Sequence, residues 1–188
     1  MPAVRTIPSS AAKWHRSVFP QICGRVAWQA KRGFGTFITM EFGLPSLSVR
    51  EARSIQELDR RRKTRSARVL SRRKVTVSGG WHLWVQYASW KIVRKGSVIA
   101  SSRMGEAQMD KGIALLDSQK LLAARFDGDR NCLSLRFEHG EELQLVQYKG
   151  VRQGALLALY GPRDFYREVR PGPSADTFVP TIVESPAL

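Results

Sequence analysis

The run LLAARFDGDRNCLSLRFEHGEELQLVQYKG, residues 121–150, divides into three short extended pieces separated by two turns. Leu121 to Phe126, Cys132 to Phe137 and Leu143 to Tyr148 are the pieces; Asp127-Gly128-Asp129 and His139-Gly140 are the turns. Asp and Gly tolerate the left-handed backbone that tight hairpins need. In the middle piece Leu133, Leu135 and Phe137 alternate with Ser134, Arg136 and Glu138, the pattern of a strand with one buried and one wet face. Lys149-Gly150 and then Gly161-Pro162-Arg163-Asp164 punctuate two further pieces, Ala155 to Tyr160 and Phe165 to Val169. Short strands with close turns predict an antiparallel meander.

Working outward, Met109, Ile113 and Leu116 recur at helical spacing and predict one helix from about Met104 to Leu116. Lys74 to Ser78 reads as a strand, and Gly79-Gly80 turns it into Trp81 to Val93. Thr36 to Phe42, bounded by Gly35 and Gly43, is β-branched and aromatic and reads as another strand. The expected fold class is therefore α+β and mostly β: an antiparallel sheet or open barrel-like meander with one packed helix. On this reading the N-terminal strands extend the C-terminal sheet. A flexible basic arm (1–24), a single β-rich domain (25–170) with a basic insertion at about 50–74, and a Pro-containing tail (171–188) complete the organisation. Within the insertion Ser54-Ile55-Gln56-Glu57 has capping-box spacing, so the segment is expected to be a short basic helix or a basic loop between strands.

The net charge of +15 is unevenly placed. Residues 1–75 hold 17 Lys and Arg against 4 Asp and Glu, whereas residues 76–188 hold 14 against 12. A field so concentrated attracts polyanions, so the expected partners are nucleic acid or an acidic protein. Arg60, Arg61, Arg62, Lys63, Arg65, Arg68, Arg72, Arg73 and Lys74 are the candidate contacts to phosphates, giving salt-dependent, sequence-tolerant affinity. In Trp81 to Trp90 a continuous strand would place Trp81, Leu83, Val85 and Tyr87 on one face and His82, Trp84, Gln86 and Trp90 on the other. Trp84 and Trp90 are candidates for base stacking or an interface anchor, against the plainer reading that both faces are buried.

Other classes find little footing. The longest uninterrupted apolar run is the six residues Ala155 to Tyr160, far short of the roughly 20 that a helical membrane span needs. Cys23 and Cys132 are too few for a disulfide framework and lack metal-ligand spacing, so a reducing compartment is expected. Asp127, Asp129, Asn131 and Glu138 imitate part of a calcium loop, but Cys132 occupies the position that requires Gly. Cys132 and His139 bracket a strand and stand about 20 Å apart along it, too far for a nucleophile–base pair. No catalytic residue, metal or cofactor is expected, and the chain reads as a non-enzymatic binding protein. The location expected is cytoplasmic; the acid-free start, rich in Arg and Ser, leaves organelle targeting as the alternative.

Overall fold

The computed structural model describes residues 19–52, 71–127, 132–147, 156–162 and 166–169. Residues 1–18 of the expected arm, the candidate helix at Ser54 and the Pro-containing tail lie outside those residues; the end of the arm, 19–24, is corrected to part of the folded domain, with Phe19 and Ile22 buried in its core. After a short 3-10 turn, Phe19–Gln21, come β1 (Ala27–Arg32), β2 (Ile38–Phe42), β3 (Ser46–Arg50), β4 (Lys74–Ser78), β5 (Trp81–Val85), β6 (Ala88–Arg94) and β7 (Ser97–Ser101). Helix α1 (Glu106–Ala114) follows, then β8 (Leu121–Asp127), β9 (Cys132–Phe137), β10 (Glu141–Gln147), β11 (Leu157–Tyr160) and β12 (Tyr166–Val169). The protein is thus mostly β, with antiparallel sheets and, among the described residues, one α-helix.

The strands form two five-stranded antiparallel sheets, β1-β2-β5-β11-β12 and β7-β6-β10-β9-β8, plus a two-stranded ribbon, β3-β4. The single extended sheet expected from sequence is therefore corrected to two. The cause lies in the Trp-rich segment. Val85 ends β5 in the first sheet and Ala88 begins β6 in the second, with Gln86 and Tyr87 forming the corner. There the Ala88 N–H donates to Gln86 O at 2.8 Å, the three-residue closure of a γ-type turn. Trp81, Leu83 and Val85 point inward from β5, whereas Ala88, Trp90 and Ile92 point inward from β6. The inward parity flips from odd to even at the corner, so the continuous alternation read from sequence holds on only one side of it.

Both sheets bury their inner faces in one core. Ile38, Met40 and Phe42 from β2 meet Leu83 and Val85 from β5, with Leu133, Leu135, Phe137, Leu143 and Leu145 from the second sheet. The two sheets are also bonded at one edge. Gly24 N–H donates to Leu121 O at 2.8 Å, Leu121 N–H to Arg25 O at 3.0 Å, and Ala27 N–H to Gln119 O at 2.8 Å. No ladder joins β7 to β12 at the other edge, so the described strands make no closed barrel.

Helix α1 covers the core with Met109, Gly112 and Ile113, and Leu116 in the next turn is also buried. Gly112 lies directly on Ala100 of β7 and close to Ile92, so a methyl group there would overlap the Ala100 side chain. Arg32 of β1 ties the outer face of α1 down through Asp110 at 2.7 Å and Glu106 at 3.1 Å. A fully buried polar group, Glu141, is paired with Arg94 at 2.5 Å and accepts the Gln119 amide at 2.9 Å, while Gln119 Oε1 receives the His139 N–H at 2.8 Å. A buried carboxylate persists only when it is compensated in this way.

Two expectations follow. Gly112→Ala should destabilise the protein by about 1–3 kcal/mol through overpacking, as a lower urea midpoint would show. The Arg32 guanidinium holds the Asp110 carboxyl below the ordinary carboxylate range by hydrogen bonding to it. A depressed pKa contributes stability above the unfolded value that is lost as pH falls through the folded one. The melting-temperature difference between the native protein and Asp110→Asn should therefore shrink as the pH is lowered below that range, and remain small throughout because the pair is exposed.

Candidate functional site

The β3-β4 ribbon has no buried residue. It pairs in register from Ser46↔Ser78 to Arg50↔Lys74. Registered partners share a face, so Leu47, Val49, Val75 and Val77 line one side and Ser46, Ser48, Arg50, Lys74, Thr76 and Ser78 the other. The four aliphatic side chains are 44–71% exposed. The ribbon grows out of the first sheet: β2 and β5 pair from Ile38↔Val85 to Phe42↔Trp81, and the chain then runs through 43–45 on one side and 79–80 on the other into β3 and β4. Gly43 has φ +83°, and a Cβ on Gly79 would stand 2.6 Å from Phe42 O, so both sides of this junction require glycine.

Of the sequence-derived candidates, Arg72, Arg73 and Lys74 are exposed at the end of the ribbon away from the sheet. Arg73 Nε donates to Glu51 Oε2 at 2.9 Å, across the mouth of the connection. Arg60, Arg61, Arg62, Lys63, Arg65 and Arg68 belong to that connection and lie outside the described residues. Trp90 and Trp84 part company. Trp90 is 2% exposed and its indole N–H donates to Thr36 O at 2.7 Å, so it belongs to the core and offers no face for stacking. The parity flip at the corner is the physical reason. Trp84, before the corner, stays on the outer face of the first sheet, half-buried, with the Phe37 ring edge-on at 6.1 Å.

Two rows of registered residues cross that outer face. One runs Trp28–Glu41–His82–Tyr160, the other Lys31–Thr39–Trp84–Ala158. Glu41 is held at both oxygens: Oε1 lies 2.7 Å from His82 Nδ1, and Oε2 accepts the Gly79 N–H at 3.0 Å. An ionised carboxylate accepts only, so Nδ1 carries a proton, and in the neutral ring Nε2 is left as an acceptor. The His82 ring sits beside Tyr160 at 5.9 Å. Sequence reasoning missed this pair because 41 residues separate its members. One signal was present: if 50–74 interrupts a hairpin, the strands flanking it pair antiparallel and bring Glu41 opposite His82.

The thiols do not look like nucleophiles. Burial pushes both Cys23 and Cys132 upward, and a thiol is reactive only as thiolate. Cys132 borders a shallow concavity of about 310 Å³ on the outer face of the second sheet, where Arg125 and Arg136 alternate with Asp127 and Glu142. Such mixed charge presents no net field to an anion. The chain matches no family model, no curated protein and no solved structure.

The Glu41–His82 contact has a direct spectroscopic consequence. In the native protein the nitrogen-15 shifts of His82 should report the Nδ1–H tautomer, and Glu41→Ala should move the ring toward the Nε2–H form. An unchanged tautomer in the variant would mean that the carboxylate does not orient the ring.

Proposed function

We propose that the protein is a binding protein that contacts nucleic acid through its basic ribbon. The observation that carries this reading is the exposed β3-β4 ladder, whose connecting segment contributes to nine basic and no acidic residues across 60–74. An exposed two-stranded ribbon offers Lys and Arg to a phosphate backbone, which they neutralise with release of counterions. Affinity of that origin is sequence-tolerant and falls steeply with salt. Burial pushes both thiols upward, so neither is a ready nucleophile.

A second reading takes its support from the other face of the ribbon. Leu47, Val49, Val75 and Val77 are exposed aliphatics with no counterpart in phosphate chemistry, and they suit a protein partner with an acidic rim. Protein purified at low salt separates the two. Nucleic-acid absorbance that is removed by a high-salt wash supports the first reading, and a clean protein spectrum with a co-purifying acidic protein supports the second.

For the first reading, simultaneous Arg60→Glu, Arg61→Glu and Arg62→Glu should weaken binding to every oligonucleotide tested. The log–log salt slope should fall by about 2–3, given roughly 0.7–0.9 per phosphate contact. Fluorescence anisotropy over a salt series measures both. Unchanged affinity and slope would make the basic run irrelevant to binding.

A further inference from the structure

We infer that the outer face of the first sheet is a stacking platform that selects single-stranded nucleic acid over duplex; the inference rests on the proposed function and specifies its ligand. The platform is built by β1, β2, β5 and β11 and the loops beside them. Trp84 stands at its centre, with Phe37 edge-on at 6.1 Å; Phe37 in turn meets Tyr87 at 5.7 Å, again edge-on. Tyr160 and Trp28 lie in the adjacent row, on either side of His82 and Glu41. Tyr87 is 43% and Tyr160 36% exposed, high values for aromatic rings beside a sheet whose other face is fully buried.

Three features select a nucleic-acid strand as the occupant. First, the acidic residue among β1, β2, β5 and β11 is Glu41, and both its oxygens are engaged by Gly79 N–H and His82. The other acid of the face is Glu168 of β12, registered opposite Ala158 at the edge of the sheet away from Lys31, which leaves the β1-β2 side as the path for a phosphate backbone. Second, cations border it: Lys31 shares a row with Trp84, and the Arg25 guanidinium reaches the Gly43 turn at the root of the ribbon. Third, the platform is continuous with the ribbon, because β2 and β5 are the strands that run on into β3 and β4. A strand lying on Trp84 can thus place its bases on aromatic faces while its phosphates pass toward the exposed Arg72 and Lys74.

Aromatic rings discriminate between single strands and duplexes because paired bases keep their faces stacked on one another and cannot offer them to a protein. His82 adds a polar contact, since Nε2 is free to accept from a base edge once Glu41 holds Nδ1. Ribose and deoxyribose strands share the relevant chemistry, and the experiment separates them.

Labelled oligo(U) and oligo(dT) of about 15 nucleotides, and a duplex of the same length, are titrated with the native chain, Trp84→Ala and Tyr87→Ala in one salt series. Circular dichroism and melting temperature are recorded alongside. The platform predicts tighter binding of single strands than of duplex by the native protein. It also predicts a loss of about tenfold for single strands in either variant, with an unchanged salt slope, because stacking involves no counterions. Tyr87→Ala keeps the test valid if Trp84→Ala fails to fold, since the Tyr87 ring is largely outside the core. Duplex bound as tightly as single strands, or folded variants with native affinity, would overturn this inference and leave the ribbon reading intact. No binding of any oligonucleotide by the native protein would overturn both.

Discussion

The two-residue corner at Gln86 and Tyr87 is the constraint on which the rest of the arrangement hangs. A strand has period two, so a continuous strand from Trp81 to Trp90 would have forced one of those indoles out of the core. Bending the chain between Val85 and Ala88 lets Trp81 close the first sheet and Trp90 the second. The corner is secured from outside itself: Gln86 N–H donates to Leu156 O at 3.1 Å, and the Trp90 indole to Thr36 O at 2.7 Å. One strand thereby feeds both sheets and commits their inner faces to a single core. What it leaves outside is equally determined, namely Trp84 before the corner and Tyr87 within it.

The same economy of connection governs the ribbon. A two-stranded hairpin is marginal on its own in water, and β3-β4 has its aliphatic side chains exposed. It is nevertheless held in register because it continues a pair, β2-β5, that is anchored in the core by Phe42 and Trp81. Gly43 and Gly79 allow the change of direction without breaking the pairing on either side.

How far the sequence could be read depends on which residues carried the signal. Strand β9 was legible residue for residue, because Leu133, Leu135 and Phe137 alternate cleanly and turns bound it on both sides. Helix α1 was legible from Met109 and Ile113, with the structure trimming a turn that ends in the buried Leu116. Strand β7, read SVIAS, was not separable from a loop, since small polar residues dilute its alternation, whereas β3, SLSVR, alternates cleanly but is five residues long and ends in the charge run that starts at Arg50. Strand β1 was hidden for a different reason: Gln29 has φ +50° and the register against β2 shifts between Trp28 and Lys31, so the period is broken where it should be read. At the site, the basic run was legible as charge, whereas the Glu41–His82 pair depended on register across an insertion. Trp90 was misplaced because no local pattern announces a corner.

Several of the carboxylates join one element of the fold to another. Glu41 is occupied by His82 and Gly79, Glu141 by Arg94 and Gln119, Asp110 and Glu106 by Arg32, and Asp117 by the Ala30 N–H at 2.9 Å. Each of these acids is spent on fixing one element against another: ribbon root to sheet, hairpin to turn, helix to β1, turn to β1. At the ribbon, Glu51 faces Arg73 across the connection. An exposed pair of that kind is worth little and is readily exchanged for a stronger anion. These acids thus serve as internal fasteners, each holding one element of the fold against another.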